Sequence, residues 1–158
     1  MGERTAFGRT VPGIDDGALG EAATQVLLDL GHRQIGFVAG ASDPQRSRQR
    51  VAGYRRLMVE KGSRAHHHFT ADKRLGFRQA LALAKSWLVP TIRPTAIIAE
   101  TEEVALAILD VAHQLELVVP RDLSLISLEA RARLSRAKPP VTALSQPYDR
   151  LFGAACAD

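Results

Sequence analysis

The sequence has a single cysteine, Cys156, in 158 residues, so no disulfide can close within the chain and a packed core must hold the fold. Long apolar runs are also missing: nowhere do about eighteen consecutive apolar residues occur, the length a membrane-spanning helix needs. The N-terminal stretch carries Glu3, Arg4 and Arg9 with no apolar segment behind them. Membrane insertion and secretion are therefore not expected, and a cytoplasmic location is. There is no low-complexity segment and no internal linker. Gly36 and Gly40 do not make the spaced glycines of a dinucleotide loop, and no nucleophile, acid or base constellation is visible. No catalytic residue, cofactor or metal is expected, and the chain is not read as an enzyme. The run His66-His67-His68 does not change this, because successive strand side chains alternate faces and three in a row cannot converge on one ion. A solvated or half-buried strand is the expectation there.

What is present is an ordinary globular balance, 46% hydrophobic and 24% charged, in a chain of single-domain length. A fold of this size buries roughly two-thirds of the surface its unfolded chain exposes. Apolar spacing predicts a helix over residues 18–30, closed by Gly31 as the left-handed residue after the cap, and then a buried strand over 34–40. A polar loop over 41–47 is expected before a second helix over 48–61, which Gly62 ends. The pattern continues with a weak strand at 65–70, a helix at 75–88 stopped by Pro90, and a strand at 95–99. A helix at 102–117 opens on acidic residues that complement its dipole. Strands at 123–128 and 141–144 and a helix at 147–155 complete it. Strands alternating with helices of this length require right-handed crossovers. The expected fold class is therefore α/β, a doubly wound, mostly parallel sheet with helices on both faces.

A net charge of +4 and a pI near 9.7 suggest nucleic acid only if the basic residues share one face. Arg131, Arg133, Arg136 and Lys138 form one local cluster before Pro139. Without a helix-turn-helix around it, a solvated loop or a contact with an acidic partner is expected rather than base readout.

Five ordered motifs add a resemblance. Residues 27–40 place Gly31-His32-Arg33 between an apolar helix and a strand; Arg50-Val51-Ala52-Gly53-Tyr54 follows; then come Pro94-Thr95-Ala96, Val119-Pro120-Arg121-Asp122-Leu123-Ser124 and Pro139-Pro140-Val141-Thr142 with Ser145-Gln146-Pro147-Tyr148. In this order and spacing they resemble the lactose/galactose-repressor (LacI/GalR) family of bacterial transcriptional regulators. The likeness covers residues 11–151 and corresponds to the C-terminal subdomain of the family's periplasmic-binding-protein-like sensor. It implies a single effector-sensing α/β domain over 1–158, with the subdomain at 12–147 and a flexible arm at 1–11. Crossovers to a second subdomain would fall near Ile14 and Gln146. The resemblance further implies a small-molecule effector, a sugar or related metabolite, whose binding controls DNA affinity in the intact regulator. DNA contact would run only through a headpiece absent from these residues. Pairing as a homodimer is implied, with residues 48–61 and the final segments as the candidate face. With one subdomain, weak effector binding or none is expected. The alternative is a periplasmic-type sugar-binding protein serving transport, against which the Gly-His-Arg signature argues.

On this resemblance the candidate effector-binding residues are Asp15, Arg50, Phe69, Thr101, Glu129 and Tyr148. Arg50 matches the family arginine that projects into the cleft, where a guanidinium fork grips two hydroxyls or a carboxylate. The other possibility is a surface arginine in a basic cluster with Arg46, Arg48, Arg55 and Arg56. Asp15 either accepts ligand hydroxyl protons at the first crossover or, with Asp16, caps the first helix. Glu129 stands where the family has aspartate, and Thr101 where it has asparagine; Thr101 is equally a helix cap. Phe69 is either a stacking platform for a ring or a core residue. Tyr148 lies at the second crossover. Cys156 is read as a bystander.

Overall fold

The structure is a computed structural model, and it describes residues 4–6, 9–11, 15–65 and 67–144. Strands β1 (Arg4–Ala6) and β2 (Arg9–Val11) pair antiparallel, Arg4 opposite Val11, within the stretch 1–11 expected to be a flexible arm. The main unit then alternates helix and strand: α1 (Asp16–Asp29), β3 (Ile35–Ala39), α2 (Pro44–Glu60), β4 (His68–Thr70), α3 (Phe77–Leu88), β5 (Ala96–Ala99), α4 (Glu102–Gln114), β6 (Ser124–Ser127), α5 (Ala132–Arg136) and β7 (Thr142–Ala143). The five strands β3 to β7 form one wholly parallel sheet in the order β4-β3-β5-β6-β7. This is the doubly wound α/β fold expected from the sequence.

Every residue of β3 and β5 is buried, because helices cover both faces of the sheet. Alternate side chains divide between two cores. Ile35, Phe37, Ala39, Ala96 and Ile98 pack with Leu27, Tyr54 and Met58 of α1 and α2. Val38, Ile97 and Ala99 pack with Ala84, Leu88, Val104 and Ile108 of α3 and α4. Tyr54 is enclosed against Phe37 and donates its hydroxyl to the Ile35 carbonyl at 2.6 Å, which spares a buried phenol an unmet hydrogen bond.

The Gly31-His32-Arg33 signature acquires a physical meaning. Gly31 has φ +93°, and the amides of Gly31 and His32 close back on the carbonyls of Leu28 and Leu27, the double bond of a Schellman helix end. This turn throws His32 against the sheet, where its Nδ1 lies 2.9 Å from Thr95 Oγ1 and its Nε2 lies 2.9 Å from Ser124 Oγ. One imidazole thereby ties the end of α1 to the entries of β5 and β6. Arg33 adds bonds to the Leu28 and His32 carbonyls.

Three expectations are corrected. Helix α2 begins at Pro44 rather than 48, because the Asp43 carboxylate accepts from the Gln45 and Arg46 amides and proline fits the first turn. Residues 131–138 contain the short helix α5 rather than a plain loop, with Leu134 buried against the second core. Helix α4 stops at Gln114, short of 117, where Glu116 takes a positive φ of 57° and the chain turns. The expected helix over 147–155 lies outside the described residues. His67 packs edge-on against Trp87 and His68 is exposed on β4, and among the described residues no group of three metal-binding side chains gathers. No helix among the described residues is long and apolar enough to cross a membrane.

Candidate functional site

Strand order reverses between β3 and β5: the chain leaves β3 toward β4 on one side, returns across it, and continues outward through β6 and β7. The two helices that follow these strands, α2 and α4, consequently lie on opposite faces, which makes the carboxyl ends of β3 and β5 the switch point of the sheet. Such switch points are where open α/β sheets bind ligands.

A buried ionic network occupies this place. Arg50 is the seventh residue of α2, one turn after Arg46, so both guanidinium groups share a helix face. Arg50 Nε donates to Asp16 Oδ1 at 2.8 Å, and its Nη1 donates to Glu100 Oε1 at 2.8 Å. Arg46 meets the same Asp16 through Nε at 2.9 Å and Nη2 at 3.2 Å. The other Glu100 oxygen accepts from Ser47 Oγ at 2.8 Å and from the Ala41 amide at 2.9 Å. Asp16, Ser47, Arg50 and Glu100 are all buried. Among the described residues two cations meet two anions here, and helix α1, helix α2 and the residue that follows strand β5 are joined through them.

A second constellation lies beside it at the ends of β5 and β6. Thr101 is fully buried and its hydroxyl accepts from the Val104 amide at 3.4 Å, while Glu129 Oε2 accepts from the Glu102 amide at 2.8 Å. The first turn of α4 is thus capped twice, once from its own cap residue and once from the loop after β6. Ser127 braces Glu129 through its hydroxyl. Arg133 pairs with Glu102 at 2.9 Å, and Arg131 approaches Glu129 at 3.6 Å. Part of the basic cluster at 131–138 therefore neutralises acids on the rim.

The structure gathers Arg50, Thr101 and Glu129 along the carboxyl edge of the sheet. Asp15 lies at the same edge but is exposed, and its carboxylate caps α1 by accepting from the Ala18 amide at 3.0 Å. Phe69 is half-buried on β4, paired with Val38 and packed on the core over α3 and α4. Tyr148 lies outside the described residues. Arg50 is no surface arginine, for it is buried between two carboxylates. Asp16 and Glu100 were not singled out as site residues from the sequence. The available signal was a glutamate ending the apolar strand Ala96–Ala99, which requires a cation once it is buried.

Comparison with known proteins adds independent findings. Residues 24–157 match the family of periplasmic binding protein-like domains. The ribose operon repressor of Escherichia coli (strain K12) is 30% identical over 140 residues, which is 87% of this chain and 42% of that protein. A solved LacI family transcriptional regulator from Bifidobacterium animalis subsp. lactis superposes with a TM-score of 0.75 at 33% identity, over 84% of this chain and 48% of that one. The transcriptional regulator CelR in complex with cellobiose superposes with a TM-score of 0.74 at 25% identity, over 89% of this chain and 47% of that one. This chain spans less than half the length of each of these proteins.

Proposed function

We propose an effector-sensing role for this chain, which belongs to the family of periplasmic binding protein-like domains in the form carried by LacI-type transcriptional regulators. It contributes one wall of a cleft that takes a small molecule, a sugar or related metabolite, and the bound state biases how the intact regulator engages DNA. The observation that carries this reading is the buried Asp16–Arg50–Glu100 network at the switch point between β3 and β5. Among the described residues Arg50 uses Nε and Nη1, and no described group accepts from Nη2, which remains for a ligand oxygen. Thr101 and Glu129 stand on the rim as further candidate contacts, with Asp15, Phe69 and Tyr148 completing the expected set. The names of the relatives, a ribose operon repressor and a cellobiose-bound regulator, support a sugar as the ligand class.

A shift in DNA affinity requires that the effector favour one arrangement of the intact regulator over another. A single wall gives the ligand few partners, so contact by this chain alone is expected to be weak. The test is an amide and arginine-Nε NMR titration of the chain with millimolar pentoses, hexoses and disaccharides. Shifts confined to Arg50, Thr101, Glu129 and their neighbours are the expected result. Shifts scattered over the surface, or none with any sugar, would count against sensing at this place.

A further inference from the structure

Glu100 ends the apolar strand β5 and is 1% exposed, in a position where a carboxylate needs a strong reason to be. Its three partners supply that reason. A backbone amide from the loop after β3 (Ala41), a hydroxyl from the first turns of α2 (Ser47) and a guanidinium (Arg50) converge on its two oxygens at 2.8 to 2.9 Å. Loop amides at the carboxyl ends of parallel strands, joined by hydroxyl and arginine donors, are the set with which α/β folds hold a bound anion. Here a side chain of the protein itself takes that seat.

The same substitution of an internal carboxylate for an external anion recurs along the edge. Glu129 takes the Glu102 amide at the start of α4, and Asp43 takes the Gln45 and Arg46 amides at the start of α2. The two cations at the switch point, Arg46 and Arg50, are already matched by Asp16 and Glu100. An incoming phosphate or carboxylate would find the anion seat already filled, and the Glu100 carboxylate beside Arg50 would repel it. A neutral hydroxyl meets no such penalty, since it can accept from Arg50 Nη2 and donate to a carboxylate oxygen.

We infer that Glu100 is a resident anion and a specificity-determining residue: it fills the anion seat at the switch point, so the cleft admits neutral, hydroxyl-bearing effectors and excludes phosphorylated or carboxylated ones. The exclusion of anions rests on Glu100 and its partners alone, whereas the word effector rests on the sensing role proposed above.

The experiment measures thermal unfolding of the wild-type chain, Glu100→Ala and Glu100→Gln in inorganic phosphate and in acetate, each against sodium chloride of equal ionic strength. Wild type should gain nothing beyond the chloride control. Glu100→Ala, with the seat emptied, should melt lower and recover saturably as acetate or phosphate enters. Glu100→Gln, which keeps the bulk without the charge, should not recover. Saturable stabilisation of wild type by either anion would overturn the inference, and so would a folded Glu100→Ala that ignores both. If Glu100→Ala does not fold, the wild-type titration still decides. A matched NMR titration of wild type with a hexose and its phosphate ester separates the two proposals. A phosphate ester that moves Arg50 at lower concentration than the parent sugar contradicts the exclusion. Silence with every sugar removes the sensing role and leaves the anion result standing.

Discussion

Arg50 is held by two carboxylates from different elements, and its removal strands both of them in the interior. Breaking a buried pair from one side costs about 3–5 kcal/mol, so Arg50→Ala should lower the unfolding free energy by that order and shift the urea midpoint down accordingly. Arg50→Lys keeps the charge but not the fork that reaches Asp16 and Glu100 together, and should fall between the two. An Arg50→Ala variant as stable as wild type would show that the network contributes little to the fold. His32 offers a second test. Burial of the half-buried ring lowers its pKa below the ordinary 6.5, because desolvation penalises the charged imidazolium. The unfolded chain then binds the proton more readily than the folded one. The contribution of this group is whole above pH 6.5 and is lost as the pH falls through the folded pKa. An NMR titration of the ring should place its pKa below 6.5, and His32→Gln should flatten the decline of stability in that range. A ring that titrates at or above 6.5 would refute the assignment.

Helices α1 and α2 cross at unusually close range, and two glycines make the crossing possible. A Cβ on Gly20 would lie 2.0 Å from the Arg50 carbonyl oxygen, and one on Gly53 would lie 2.1 Å from the Gly17 carbonyl oxygen. Both obstacles are backbone, so neither can move aside by changing rotamer. Gly53→Ala is expected to force the helices apart and cost about 1–3 kcal/mol or more, although alanine is the better helix former. Because Gly53 lies three residues beyond Arg50 on the same helix, the separation should also disturb the Asp16 bond. The check is a denaturant midpoint together with the Arg50 Nε resonance. The sequence exposed Gly53 only as part of a motif; the reason for it is the crossing. The start of α2 was misplaced for a related cause. Its first turns bury Ser47 and Arg50 rather than apolar side chains, and hydrophobic periodicity cannot register a helix face whose buried residues are polar.

At the scale of the molecule, the fold gathers the buried ionic network at the carboxyl edge of the sheet and leaves the outer face of α2 in solvent. Arg48, Arg55, Arg56 and Val59 are exposed along that face, which the family likeness marks as a candidate for pairing. Sedimentation equilibrium is expected to show a concentration-dependent dimer, and Val59→Asp should weaken it if α2 forms the contact. A strict monomer at high concentration would remove the homodimer. Among the described residues Arg46, Arg50, Arg56, Arg74, Arg121, Arg131 and Arg133 have acidic partners, which offset part of the basic charge behind the net +4.

The sequence by itself determined the order of strands and helices in the α/β unit, because apolar period, caps and the Gly31 turn are local properties of the chain. It also determined the family likeness, and it pointed to Arg50 as a candidate. Only the tertiary structure decided what Arg50 faces. Asp16 and Glu100 stand 34 and 50 residues away from it in sequence, and no periodicity links them. A carboxylate read from sequence has no known partner or burial. Thr101 was legible as a cap of α4, a bond to an amide three residues on, whereas the capping role of Glu129 depends on the parallel pairing of β5 with β6, which brings residue 129 to the amide of residue 102. The physical reason is common to both cases: local patterns fix which face of an element is buried, whereas the sign of the charge it meets there is set by whichever strand the topology lays beside it.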